Sequence, residues 1–447
     1  VRIAIVLAAA LTLGAAPLTW PAQWTQFRLR NDNNVVLPGT LTATWHIATN
    51  GGFSSSPTIA NGTLYIGNNG GELLAIDPAS GKVKWRTKVS NPLMSAPIVY
   101  DKLVVVGEGN ENSPGNASPS HPIRVGDPPN ALLAFNAQNG ALVWHVPLRG
   151  TGMPTPAIVD GRLVHHNGSG SVFAVDPASG RIVYTQNIHS IASMSAAVPI
   201  GRDVFVTAGV DPNALLAMRA KDGSLVWRAT FSPVASGIGD CPAAADAIRV
   251  YCDYVMPPTS ATPVQTERRA QFRAFAIDIS SGKKAWDINL DAGVLPKRNE
   301  AAIPLLAQNT LFIGSSMANL VHAIDPATGK TKWTAATYGP VKGGIVDMQG
   351  TLYFGDLRGY LWALNASNGQ LVGVKRMGTP FNVGSPIVAG QTLIIGSRGG
   401  TLWAVPLSAI RQARDIVTPP PSSSPSPGPH PRPGFRRSRP AASKEFR

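Results

Sequence analysis

An eleven-residue phrase, AIDPASGKVKW from Ala75 to Trp85, recurs along the chain in altered form, and a repeat of this length leaves few folds open. Further copies begin at Ala134 (AFNAQNGALVW), Ala174 (AVDPASGRIVY), Ala217 (AMRAKDGSLVW), Ala276 (AIDISSGKKAW), Ala323 (AIDPATGKTKW) and Ala363 (ALNASNGQLVG), and a decayed eighth starts at Ala404. Their spacing of roughly 40 to 60 residues is the period of one four-stranded propeller blade. Closed radial repeats carry a chain of 447 residues as one domain. The expected fold is all-β: an eight-bladed β-propeller of four-stranded antiparallel blades.

Each unit reads as strands A to D. In the first, Thr58 to Ala60, Thr63 to Gly67, Glu72 to Ile76 and Lys82 to Lys88 alternate with turn residues: Asn61-Gly62 between A and B, and Asp77 to Gly81 between C and D. Gly81 and its counterparts fall where a positive φ is cheap only without a Cβ, and the Asp or Asn opening the turn can bond its own backbone two residues on. Trp85, Trp144, Trp227, Trp286 and Trp333, with Tyr184 in the third copy, read as packing between neighbouring blades. Trp45 lies as far before Pro57 as Trp85 before Pro97, so Thr42 to Ile47 reads as a strand D without its own A, B and C. Pro386 to Leu407 has A, B and C without D. Pairing the two completes the eighth blade and leaves no open edge in the ring.

The ends differ from the repeats. Residues 1–22 combine Arg2, an apolar run from Ile3 to Leu13 and small residues up to Pro21-Ala22, the pattern of a signal peptide, the alternative being an uncleaved anchor. No cysteine precedes Cys241, so the expectation is an exported protein, periplasmic or extracellular, that is not a lipoprotein. The propeller is assigned to residues 23–412. Residues 413–447 read as a disordered Pro/Ser/Arg-rich basic tail: after residue 417, Arg432, Arg436, Arg437, Arg439, Lys444 and Arg447 face Glu445 alone, a composition that cannot bury a core. Much of the concentrated part of the formal charge of +14 sits there. That location points away from nucleic acid and toward contact with anionic polymers or lipids of the cell envelope, the plain alternative being a solvated tail. Cys241 and Cys252 flank a turn at Asp246-Ala247, on what read as the first two strands of one blade. Opposed residues of an antiparallel pair can be bridged, so an exported protein should carry them as a disulfide; two free buried thiols are the alternative.

The repeat Ala-x-Asp-x-x-Thr/Ser-Gly-Lys-x-x-Trp resembles that of the pyrroloquinoline-quinone-like (PQQ-like) propeller family. Trp24-Thr25-Gln26-Phe27-Arg28 is similar to a lead-in found ahead of such exported propellers. The resemblance covers about residues 23 to 412. It implies either a quinone- and calcium-dependent dehydrogenase of alcohols or sugars, or a non-catalytic scaffold of the BamB type. The adjacent cysteines that stack on the quinone in such enzymes have no counterpart here, nor does a Cys-x-x-Cys-His haem motif, and no cofactor is assigned.

Antiparallel alternation puts the D-to-A and B-to-C loops on one face. Two long B-to-C insertions, Gly107 to Asn130 and Asp253 to Arg269, rise over it, and loops on a rigid scaffold are where binding lives. The residue about three before each strand A sets the central rim: Ser54, Met94, Met153, Met194, Asp240, Glu300, Lys342 and Val383. Thioethers suit a soft ligand or an adaptable apolar contact, and the simpler reading is that they fill the gap where inner strands converge. Arg149, His189, Lys297, Arg298 and Asn299 are nearby candidates for an anion. His165-His166, adjacent on a strand, point to opposite faces and cannot chelate one metal together; no metal site is assigned. The reading reached is an exported, non-catalytic propeller that binds a protein or small-molecule ligand through its loop-rich face. The alternative is a PQQ-dependent oxidoreductase with a divergent site near Asp240, Glu300 and Lys342.

Overall fold

The Asp77–Gly81 turn shows how one unit is built. Asp77 Oδ1 accepts the backbone N–H groups of Ala79 and Ser80 and the Ser80 hydroxyl, while Gly81, at φ +74°, returns its N–H to the Asp77 carbonyl. This closes strands Glu72–Ile76 and Val83–Lys88 into a hairpin, to which Thr63–Gly67 and Thr58–Ala60 add on the inner side. The computed structural model describes residues 20–110, 126–210, 212–235, 237–257, 269–294 and 301–416. Residues 1–19, most of the expected signal peptide, and 417–447, most of the expected tail, lie outside them.

Seven such four-stranded sheets follow one another, and an eighth sheet closes the ring. In it Trp45–Ala48 pairs antiparallel with Thr401–Pro406, Trp45 opposite Ala404, as the Trp–Pro spacing predicts. A short strand not foreseen from the sequence, Val36–Leu37, adds a fifth strand to this sheet, parallel to Ile387–Ala389. Two residues are too few to carry a periodic signal.

Strands A to C of the first blade are wholly buried, while its strand D alternates half-buried and exposed positions. Apolar residues therefore collect between blades. Val105, Leu132 and Trp144 of the second blade pack with Leu163 and Phe173 of the third, and equivalent clusters join the other neighbours. Stability is in this sense a sum of interfaces between successive repeats.

The lead-in fastens the ring. Asn61 of the first blade donates to the Pro21 carbonyl, Trp24 exchanges two hydrogen bonds with Val99 of the second, and Ile158 of the third donates to Thr25. Asn31 then reaches Pro199 of the fourth and Ala245 of the fifth, Asp32 accepts from Leu306 of the sixth, Asn34 pairs with Asp347 of the seventh, and Val35 accepts from Val388 of the eighth. Fifteen residues thus touch the inner strands of all eight blades in order. Arg28, 1% exposed, donates to the carbonyls of Asn33, Pro386 and Ile345.

Two expectations need correction. Cys241 is not on a strand: it caps the 3-10 turn Ile238–Asp240, ahead of the two-residue strand Ala244–Ala245, and so is not directly opposite Cys252. The buried prolyl and alanyl stretch after Cys241 shortens strand A. The insertion placed at Asp253 to Arg269 is partly strand, because Arg249–Met256 and Arg269–Asp278 extend the hairpin of the fifth blade.

Candidate functional site

The inner strands converge on the ring axis, and the residues just ahead of them meet there. Ser54, Met94, Met153, Met194, Asp240 and Val383, six of the eight rim positions read from the repeat, line one central recess with about 480 Å³ of empty space, counting solvent at its mouth. Phe27 of the lead-in also lines it, packed on Ala96, Ala196 and Ile303. Met153 is fully buried with Ile191, and the half-buried Met94 and Met194 lean on that pair, so one flank of the recess is soft and apolar.

Next to Met194 in the rim stands an acid, Asp240. Asp240 keeps some surface at the recess, yet its Oδ1 is buried and has no hydrogen-bond partner. Burial pushes its carboxyl up to about 6, against the pull of the Ser193 hydroxyl, the Met194 N–H and the Lys342 charge. Asp253 is fully buried on the second strand of the same blade, with Oδ1 accepting the Ala302 N–H at 3.0 Å and Oδ2 unpartnered. Burial first, and the Asp240 charge second, raise it well above the usual carboxylate range.

Lys342 does not line the recess, but its ammonium is near enough to Asp240 for each to bias the other. Burial and Arg398 bring it down to about 8. Arg149 and His189 are exposed and apart from the recess; Arg149 instead borders a shallow depression with Asn167, Ser169 and Ser171. Both sit on connections after outer strands, away from the axis. Glu300, Lys297, Arg298 and Asn299, and most of the first long loop, lie outside the described residues.

Asp253 escaped the sequence reading, although a signal exists. Its register position on strand B is Gly67, Gly107, Gly314, Gly355 and Gly396 in five other blades, where a Cβ would collide with the loop entering the next blade. The departures are His166, Ala208 and Asp253. His166 is buried, Nδ1 3.0 Å from the Thr207 hydroxyl and Nε2 on the Ser190 carbonyl. His165 is buried against Phe173 with both ring nitrogens unpartnered. The two point apart, as strand alternation requires.

Among the described residues no group of three His, Cys, Asp or Glu side chains is arranged to hold a metal. A tricarboxylate quinone with its calcium also fits this wall poorly. Among the described residues that line it, one carboxylate and three thioethers offer it neither a set of cationic partners nor a hard oxygen cage.

Comparison with known proteins agrees with the architecture. The family described as outer membrane protein assembly factor BamB matches residues 24–188, 111–238 and 270–414. Tetrathionate hydrolase of Acidithiobacillus ferrooxidans is 26% identical over 381 residues, covering 80% of this chain and 74% of that protein. BamB of Yersinia pestis is 24% identical over 357 residues, 76% of this chain and 81% of that one. Among solved structures, a quinohemoprotein alcohol dehydrogenase from Pseudomonas putida HK5 superposes with a TM-score of 0.59 at 13% identity, over 90% of this chain and 82% of the other, a likeness of fold alone. With its repeats, its eight blades and most of its length accounted for, the chain belongs to the PQQ-like propeller family described by the assembly factor BamB.

Proposed function

We propose that this protein is exported and that its central recess binds and hydrolyses a small sulfur oxyanion of the tetrathionate type. The observation that carries the reading is the wall itself: three thioethers and, next to Met194, a carboxyl that burial keeps protonated up to about pH 6, within the field of Lys342. Thioethers suit polarisable sulfur, and Lys342 suits a sulfonate end. The likeness to tetrathionate hydrolase, over four-fifths of this chain, supports the same class of ligand.

The electrostatics favour acid. Below about pH 6 Asp240 is protonated while Lys342 stays charged, so a dianion in the recess meets a neutral acid within the field of a cation. Above that pH the Asp240 carboxylate repels it. Attack of water on one central sulfur breaks the sulfur–sulfur bond; thiosulfate leaves with the electron pair and takes a proton, which a protonated Asp240 holds in position. The water's oxygen stays on the other sulfur with one of its protons, as a hydroxyl, and its second proton returns to the Asp240 carboxylate.

Thiosulfate release from tetrathionate by the purified protein tests this. Release is expected at about pH 4, falling steeply by about pH 7.5, and lost in Asp240→Asn. No release and no calorimetric binding at any pH in this range would overturn it.

A second reading, a scaffold binding protein partners through the loop-rich face, is favoured by the match to the assembly-factor family. Its test is affinity capture of envelope partners with the intact protein and with the loop at 111–125 shortened. Capture that depends on that loop, with no thiosulfate release, would favour the scaffold.

A further inference from the structure

The disulfide and the two buried carboxylates occupy the same few residues of chain. Cys241 and Cys252 are bonded, with Cα atoms 6.1 Å apart. Asp240 immediately precedes the first cysteine and Asp253 immediately follows the second. The crosslink therefore ties together the two backbone segments that carry the acids, one from a 3-10 turn and one from strand B.

Each acid has one oxygen satisfied and one left over. Asp253 is 0% exposed, with Oδ1 on the Ala302 N–H and Oδ2 without a partner; Asp240 Oδ1 is likewise unpartnered at the recess wall. Ala301, next to Ala302, also lines the recess. Among the described residues, the charged groups that bear on the pair from neighbouring elements are Lys342, which acts on Asp240, and Arg398, which acts on Lys342. Lys297, Arg298 and Glu300 precede Ala301 in the chain, outside the described residues. Two ionised carboxylates, each with an unpartnered buried oxygen and the charge of one acting on the other, are costly, whereas one retained proton relieves both desolvation and repulsion.

We propose that Asp240 and Asp253 titrate as one acid unit that keeps a proton at neutral pH, with Asp253 as the positioning residue and the Cys241–Cys252 disulfide as the clamp that holds the two carboxyls together. Burial acts in the same direction on both, and the repulsion from Asp240 adds to it at Asp253. As a source of the proton used in hydrolysis the unit rests on the function proposed above. As a coupled pair it does not, and it can be tested without ligand.

The experiment is a double-mutant comparison of chemical unfolding for the wild type, Asp240→Asn, Asp253→Asn and the double variant, at about pH 3.5 and about pH 7.5. At the higher pH each single amide should raise the folded-to-unfolded ratio about tenfold or more, and the double variant should gain clearly less than the product of the two. At the lower pH the gains should vanish, because both carboxyls are then largely protonated folded or unfolded. Gains that multiply, or that do not depend on pH, would overturn the pair.

Repeating the four variants in a Cys241→Ala/Cys252→Ala background tests the clamp: general loss of stability cancels in the comparison, and the coupling should fall about tenfold. Undiminished coupling there would overturn the clamp. Should that background not fold, the same four-variant comparison with the native cysteines reduced by a phosphine under native conditions reads the same quantity. In a thiosulfate assay, Asp253→Asn should move the alkaline fall in activity to lower pH. Absence of activity would strike the proposed function and leave the unfolding result standing.

Discussion

The indole of Trp45 lies against Gly81 of the following blade: a Cβ built on that glycine falls 2.8 Å from the ring, and the indole N–H donates to the Pro78 carbonyl at 3.0 Å. The same pairing links Trp85 to Gly140, Trp144 to Gly180, Trp227 to Gly282, Trp286 to Gly329 and Trp333 to Gly369, with Tyr184 on Gly223. The turn glycine and the closing aromatic of the repeated phrase thus form one contact, made between the outer strand of one unit and the turn of the next. Each glycine is required twice, for its positive φ and for the ring seated on it.

Gly81→Ala should therefore cost about 3 kcal/mol, from backbone strain plus displacement of Trp45. Gly161 separates these effects. It has nearly the same φ, +72°, but nothing lies within 4 Å of a Cβ added there. Gly161→Ala should lose only about 1 kcal/mol, the strain alone. Urea titrations of the two variants check the difference, and equal losses would mean that the ring contact contributes nothing.

Arg28 supports a second prediction. Its guanidinium is buried on three backbone carbonyls contributed by the lead-in and the seventh and eighth blades, with Asp32 the carboxylate that acts on it. Arg28→Met keeps much of the volume and strands those carbonyls without a donor. A loss of about 3 kcal/mol is expected, measurable as a lower unfolding midpoint. Arg30→Met should change stability by less than about 0.5 kcal/mol, since the Arg30–Asp32 pair is surface-exposed on the arginine side.

What could be read from the sequence follows from what is periodic. The strands of the first blade, the closing strand at Trp45 and six recess positions repeat in register, so each copy reinforces the others. The path of residues 21 to 37 does not repeat, and its contacts are carried mainly by backbone groups, which have no side-chain signature. Asp253 was overlooked for a related reason. It stands where glycine is the rule, and a substitution for glycine becomes visible only once strand B has been aligned through the hydrogen-bond register. The exposed Arg149 and His189 were drawn toward the rim by proximity in sequence, but the connections that carry them run along the outer strands.

The histidine pair gives the acid limit of stability. Burial brings His165 down to about 3 and His166 down to about 4, so both are neutral when folded near neutrality. The unfolded chain takes up protons below about pH 6.5 that the folded chain refuses. Stability is therefore full above that value and declines as pH falls toward the folded values. His165→Leu removes a side chain with two unpartnered nitrogens and should flatten the decline, with a gain near pH 4 of up to about 3 kcal/mol relative to neutral pH. Unfolding free energies across that range provide the check; an unchanged slope would assign the acid sensitivity elsewhere.

Gly373 breaks the aromatic pattern in the seventh copy, where the other outer strands carry Trp or Tyr. Restoring the repeat residue would ordinarily be expected to stabilise. Here the short helix Leu407–Arg411 occupies the space: a Cβ on Gly373 would fall 2.2 Å from the Ile410 carbonyl and 2.6 Å from that of Arg411. Leu407 and Ile410 are wholly buried, and the chain continues past the helix to pair with the same outer strand, the Val374 N–H donating to Ala413. The eighth blade has no C-to-D turn of its own to receive a ring, since its outer strand comes from the N-terminal side, and the helix fills the place the turn would take. Gly373→Trp should accordingly displace the helix and lower stability by several kcal/mol, while Gly373→Ala, with a single methyl group to accommodate, should cost about 2 kcal/mol. Hydrogen exchange at Ile410 to Ala413, measured beside the unfolding midpoint, shows whether the helix has been lifted. A variant carrying the repeat tryptophan with unchanged protection there would mean that the helix does not occupy the aromatic's place.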